Sequence, residues 1–279
     1  MRTLFRNPIF YILTGVLFIF VARTLLAVRF PVPRLNDIFT ALTLAGSLIV
    51  LFARFGQVKA SDWLIGIGAG LLVGVTMNYA TLFNPYDFFG IVRSNFAQAL
   101  VRGFGTTLAM LCGLIIAQQV GPVQVSLAQA KQKKSLVSFI LGIAIGAPFA
   151  ILNVFALQFT QGQSITWQNP LAALSDALQP AIVEEVTYRF AFLGLIWLAI
   201  RHSMPQSANW VAGLLALFVH NFMHFDDLWL QAPLTALGMG LVMALVWGLP
   251  PTILALRRDL ESAIAFHWVQ DMARFLTGF

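Results

Sequence analysis

From residue 8 onward the chain is a succession of long apolar stretches joined by short polar turns. An α-helix crosses hydrocarbon with about 20 apolar residues, because every backbone N–H and C=O must be satisfied within the segment. Stretches of roughly that kind run over about 8–28, 37–52, 63–83, 103–120, 135–157, 171–200, 208–225, 233–256 and 260–279. Only 10% of the residues are charged and 59% are hydrophobic, against about 25% charged in a soluble domain. The expected fold is all-α, a polytopic integral membrane helical bundle of about eight to nine transmembrane helices.

Details along the chain refine this expectation. Arg23 interrupts the first stretch and no small-residue cleavage site follows, so the stretch reads as an uncleaved signal-anchor. Gly66, Gly70 and Gly74, and later Gly142 and Gly146, recur every fourth residue, a spacing that lets helix backbones approach closely in a membrane. No strand precedes the first glycine set, which argues against a nucleotide-binding loop. Asn84-Pro85-Tyr86-Asp87 is an expected turn, and 93–102 is an amphipathic segment expected at the interface. Gly121 and Pro122 end the fourth span, Pro148 is expected to kink the fifth, and Pro250 and Pro251 to bend the end of the eighth. The 171–200 stretch is too long for one straight span, and a break is expected at Pro180.

The net charge of +6 does not point to nucleic acid. The basic residues sit at the ends of apolar stretches, where lysine and arginine snorkel and set topology. Lys131, Lys133 and Lys134, then Arg201, then Arg257 and Arg258 occupy alternate loops, which places the lysine loop in the cytoplasm. Carried backwards, this puts Arg2 and Arg6 inside and Arg29 and Arg34 outside, the latter against the rule. The single cysteine, Cys112, excludes an internal disulfide framework and reads as a small apolar helix residue.

Against this background, Glu184-Glu185-Val186-Thr187-Tyr188-Arg189 is expensive. A charge at bilayer depth costs at least a few kcal/mol, so such residues are rare and face a bundle interior or a cavity. Glu185 and Arg189 are spaced for an i,i+4 ion pair. Glu184, about 100° away around the helix, is left without a local partner and is the candidate general base. Two more polar clusters follow in apolar helices: His220 with His224, and His267 with Asp271, each four residues apart. Converging carboxylates and imidazoles can bind a divalent metal with an open position for water, or hold a water by hydrogen bonds alone; either way the chemistry is hydrolysis. The fourth histidine, His202, reads as a surface residue, and Asp226 and Asp227 as solvated loop acids. Asp176, Asn78 and Asn153 read as core hydrogen-bonding residues.

This order of motifs resembles the CPBP family of intramembrane proteases, also called the Abi or type II CAAX prenyl endopeptidase family. That family carries paired glutamates with an arginine four after the second, as in Glu184, Glu185 and Arg189, and a histidine four before an asparagine or aspartate, as in His267 and Asp271. Between them it has a phenylalanine four before a histidine. Here His220 stands four before His224, and Ala216 four before His220, so either histidine can be the family's; the distance to His267 favours His224. The resemblance covers 171–279, which divides the chain into 1–158, N-terminal helices of unassigned function, and 171–279, the protease-like core.

The resemblance implies an intramembrane endopeptidase in which Glu184 activates water. His224 (or His220), His267 and Asp271 position that water or, with Glu184, ligate a divalent metal such as zinc, while Glu185 and Arg189 support the site. Whether a metal is used stays open; Asp271 in place of asparagine favours a cation. The implied substrate is a membrane-embedded or lipidated peptide, prenylated or linked to bacteriocin maturation, and the setting a bacterial cytoplasmic membrane. Two other classes remain: an ion-coupled transporter, in which acids and histidines form a proton relay, and a non-catalytic scaffold or immunity protein of the same fold.

Overall fold

The computed structural model describes residues 8–84 and 87–279. Arg2 and Arg6, and the middle of the expected turn, Pro85 and Tyr86, lie outside them. The described residues are predominantly helical and contain no strand beyond an isolated bridge pairing Phe88 with Val92. The helices are α1 (Pro8–Ala27), α2 (Leu35–Ala53), α3 (Ala60–Asn78), α4 (Asn95–Gln118) and α5 (Gln132–Gln161), then α6 (Pro170–Asp176) and α7 (Leu178–Glu184). A π-helical stretch, Glu185–Phe192, leads into α8 (Leu193–Ile200). Next come α9 (Ala208–Phe222), a 3₁₀ turn at Met223–Phe225, α10 (Asp226–Gln231) and α11 (Pro233–Met243). A second π turn, Ala244–Gly248, joins α11 to α12 (Leu249–Arg257), and α13 (Leu260–Leu276) closes the chain.

Among the described residues, six helical stretches are long and apolar enough to cross a bilayer: α1 to α5, and the composite Pro233–Arg257. The remaining elements, α6 to α9 and α13, are shorter or carry the polar clusters. They are packed inside the bundle, with Leu193, Ala212, Ala216, Ala263 and Phe266 among its most buried side chains. The structure departs from the sequence reading at three boundaries. Residues 95–118 form one continuous helix in place of an interfacial segment followed by a span, because Ser94 caps its start by accepting from the Ala97 N–H at 3.2 Å. The break in 170–200 falls at Ala177, not Pro180; Pro180 sits in the first turn of α7, where a missing N–H is harmless. Pro250 and Pro251 open α12 directly after the second π turn.

Glycines set the closest helix crossings. A Cβ on Gly70 would stand 2.4 Å from the Gly103 carbonyl oxygen, and one on Gly142 would stand 2.3 Å from that of Ser262. These are backbone contacts between α3 and α4 and between α5 and α13, which only a hydrogen at Cα permits. Gly142→Leu is therefore expected to lower stability by about 1–3 kcal/mol through overpacking. Gly68→Leu, where nothing lies within 4 Å, is the neutral control. Unfolding in detergent checks this, and equal stability of the two variants would sink the packing argument.

The ends of the bundle are fixed by polar contacts. At one end the Leu260 N–H donates to the Gln124 carbonyl at 2.9 Å, and Ser126 and Ser138 donate to Asp259 at 2.8 and 2.6 Å. At the other, Asp176 accepts from the N–H groups of Thr81, Leu82 and Phe83 at 2.7, 2.6 and 3.2 Å. Asp226, expected as a solvated acid, is at this end and buried: its carboxylate accepts from the Leu35 N–H at 2.8 Å and lies 3.6 Å from the Arg23 guanidinium. Arg23 on the lipid-facing α1 and Asp226 in a polar turn each lack a local counterion in sequence, and the fold gives each the other. Asp227 and His202 are exposed. Cys112 is fully buried, and Asn78 is exposed at the end of α3.

Candidate functional site

The three polar clusters meet. Glu184, the last residue of α7, reaches His220 near the end of α9, whose Nε2–H donates to Glu184 Oε2 at 2.9 Å. On its other side His267 Nε2, from mid-α13, lies 3.7 Å from the same oxygen. The histidine that bonds Glu184 is thus His220, not the favoured His224. The cause is local: α9 ends at Phe222, so His224 sits in the tighter 3₁₀ turn, exposed, with its ring edge-on to His220 at 5.2 Å.

Glu185 occupies the start of the π-helical stretch and is fully buried. Its Oε1 accepts from Arg189 Nη1 and from His267 Nδ1, the latter at 2.8 Å. Arg189 is also held by Thr252 Oγ1 at 3.1 Å and the Gly248 carbonyl at 3.3 Å. Glu185 therefore does more than pair with arginine: it fixes the ring of His267 and so turns Nε2 toward Glu184. Asp271, one turn along α13, lies 3.3 Å from His267 Nε2 and binds Arg274 at 3.1 Å. π turns are rare and gather at functional sites, because the extra residue per turn re-aims side chains; this one lies between the two glutamates and Phe192.

The sequence reading gave no role to Tyr188, although it stands inside the glutamate motif. Its ring stacks on His220, with centroids 4.8 Å apart and planes 18° from parallel. Its hydroxyl donates to Asn36 Oδ1 at 2.7 Å and lies 2.9 Å from Thr40 Oγ1. The available signal was Asn36 and Thr40, spaced four apart at the start of an apolar helix. Tyr188→Phe keeps the stack and removes the hydroxyl. It is expected to cost about 0.5–1.5 kcal/mol of stability, measured by thermal melting in detergent. An unaltered melting temperature would mean that the hydroxyl's contacts with Asn36 and Thr40 do not hold the stack in place.

These residues line a cavity of about 920 Å³. Its walls come from both halves of the chain: Asn36, Thr40 and Thr106 from the N-terminal helices, Asn153 from α5, and Gly238, Met239 and Val242 from α11. Five buried polar atoms of its lining residues, His220 Nδ1, Glu185 Oε2, Gln179 Oε1, Trp247 Nε1 and Arg274 Nε, have no hydrogen-bond partner among the described residues. Buried polar groups are ordinarily satisfied, so these atoms call for water, an ion or a ligand.

Glu184, His220 and His224 offer one ligand atom each, all within 4.8 Å of one another. An imidazole–imidazole–carboxylate set fits a divalent ion such as zinc with a fourth position open to water. It includes His220 and leaves out His267 and Asp271, which the sequence reading placed among the ligands. No family model, no curated protein and no solved structure matches this chain.

Proposed function

We propose that the chain is an intramembrane endopeptidase of the CPBP type, cutting a peptide bond of a membrane-embedded or lipid-anchored substrate in a cytoplasmic membrane. The observation that carries this reading is Glu184: a carboxylate held by His220 at 2.9 Å and faced by His267 at 3.7 Å, on the wall of a cavity of about 920 Å³. The order of the glutamate, histidine and aspartate motifs supports the family assignment.

In this mechanism a water bound beside Glu184 gives a proton to the carboxylate and attacks the scissile carbonyl carbon. His220 keeps the carboxylate oriented through its Nε2–H. His267, fixed through Nδ1 by Glu185, presents the edge bearing Nε2 to the reacting centre. With both ring nitrogens protonated, it donates to the developing oxyanion. Glu184 then passes its proton to the departing amine, the bond breaks, and the carboxylate is restored. A divalent ion on Glu184, His220 and His224 would supply Lewis acidity toward the carbonyl.

A carrier with a proton relay needs access to the same groups from both faces. The cavity walls here come from the half of the bundle nearer Asp176 and Asp226, which favours the hydrolase. The test is incubation of the purified chain with a mixed set of prenylated and membrane-tethered peptides, alongside Glu184→Ala. Cleavage by the parent alone is expected. Equal cleavage by both removes Glu184 from the mechanism, and proton-coupled uptake in proteoliposomes that depends on Glu184 would replace the protease with a carrier.

A further inference from the structure

The fold determines which ends of the helices share a face of the bundle. The contacts of Leu260 with Gln124 and of Asp259 with Ser126 bring the α4–α5 loop and the start of α13 together. Gln118 donates to Asp62 at 2.7 Å, which adds the start of α3, and Arg257 stacks on Trp210 at 5.1 Å, which adds the start of α9. This face carries Lys131, Lys133, Lys134, Arg201, Arg257 and Arg258. The opposite face gathers the α1–α2 turn, the α3–α4 connection, residues 162–169 and the α9–α10 turn. Asp226 bonded to Leu35, Asp176 bonded to Thr81, and the Thr166 N–H donating to the Thr277 carbonyl at 3.0 Å tie it together. It too carries arginines, Arg23, Arg29, Arg34, Arg93, Arg102 and Arg274, but no lysine, whereas Arg54 and Lys59 at the α2–α3 turn add to the six basic residues of the first face; Arg34 lines a small hollow with Asp226 and Asp227. Among the described residues the lysine face therefore holds the larger share of basic residues, including every lysine, and this excess places it in the cytoplasm.

The cavity lies toward the other face. On α5 it touches Asn153, Ala156, Leu157 and Thr160 of a helix ending at Gln161, and on α4 it touches Val101, Arg102, Gly105 and Thr106 of a helix starting at Asn95; on α11 its lining begins at Thr235, two residues after Pro233, and continues as far as Trp247 and Pro251, short of Arg257. No residue of the lysine loop lines it. Its exposed rim is Asn84, Thr160 and His224 at the face, and Met239 and Val242 (45% and 55% exposed) along the side of α11. A polar mouth on one face that is continuous with an apolar opening toward lipid suits a peptide whose apolar part is anchored in the adjoining leaflet.

We infer that the site is loaded from the extracytoplasmic side, so that its substrate is an exported peptide or a protein segment anchored in the outer leaflet, not a cytoplasmic chain. The apolar anchor lies against Met239 and Val242, and the scissile bond reaches Glu184 through the mouth beside His224. This rests on the hydrolase reading for the word substrate, while the sidedness itself is independent of catalysis.

Single cysteines introduced into the full-length Cys112→Ala chain test it, with a membrane-impermeant maleimide applied to right-side-out vesicles. Gln163→Cys reports the face of the cavity, Ser203→Cys the lysine face, and Asn153→Cys the cavity interior. Labelling of Gln163→Cys and Asn153→Cys in intact vesicles, with loss of labelling at Ser203→Cys until the vesicles are permeabilised, is the expected pattern. Reversed or two-sided labelling at Gln163→Cys and Ser203→Cys overturns the orientation. Asn153→Cys that stays unlabelled from outside, or reacts only from the Ser203 side, overturns the loading route. Because maleimide reactivity needs no turnover, failure of the hydrolase reading would appear instead as peptide hydrolysis indifferent to Glu184→Ala, with the labelling pattern intact.

Discussion

The Glu184→Gln protein is expected to fold like its parent and, on the proposed endopeptidase mechanism, to hydrolyse peptide about 10²–10⁴-fold more slowly, the range that a positioned general base contributes. Glutamine has the shape of glutamate, and its amide oxygen still accepts from His220 Nε2–H, which holds the side chain at 2.9 Å in the parent. What the amide cannot do is take a proton from water. The loss should fall on kcat, with KM little altered, since the groups that touch the bound peptide are unchanged. Melting in detergent measured beside the rate separates chemistry from folding. A kcat within twofold of the parent, at equal stability, would dismiss Glu184 as the base.

The largest effect on stability is expected at Arg189. Its guanidinium meets Glu185, Thr252 and Gly248, and both ion-pair partners are buried, at 3% and 0% exposure. Arg189→Met leaves the Glu185 carboxylate in the core with His267 as its remaining partner. Breaking a buried pair in this way costs about 3–5 kcal/mol, because the stranded charge keeps its desolvation penalty. Neutralising the other partner as well should recover part of it, so Arg189→Met with Glu185→Gln is expected to be more stable than Arg189→Met alone. Denaturation in detergent decides. If the single variant loses less than about 1 kcal/mol, the pair behaves like an exposed one and the buried-frame account fails.

What could be read from the sequence follows from distance along the chain. Apolar length fixes the helical class, and the spacing of Glu185 and Arg189 is local enough to specify their ion pair. The spaced glycines announce tight crossings because no other residue type satisfies them. The choice between His220 and His224 was not legible, since it depends on where α9 gives way to a 3₁₀ turn, and boundaries carry weak signals. The π-helical stretch was equally hidden: nothing in Glu185 to Phe192 departs from an ordinary helical composition. Tyr188 was passed over because its partners, Asn36 and Thr40, lie about 150 residues earlier. The same long reach explains why the division at 158–171 understated the N-terminal helices, which supply part of the cavity wall.

The tie between Arg23 and Asp226 bears on whether the chain can be dissected. Arg23 Nη1 donates to the Asp226 carbonyl at 3.0 Å and Nη2 approaches its carboxylate. Asp226 follows directly on the 3₁₀ turn that holds His224. A fragment beginning after α1 would retain every residue of the glutamate, histidine and aspartate clusters, yet leave that turn clasped at one point fewer and a buried aspartate without its ion-pair partner. The first helix, which buries little but one arginine, is in this sense a buckle for the candidate site. The smallest fragment that keeps the site intact is accordingly set by tertiary fastening, and the extent of the motifs underestimates it.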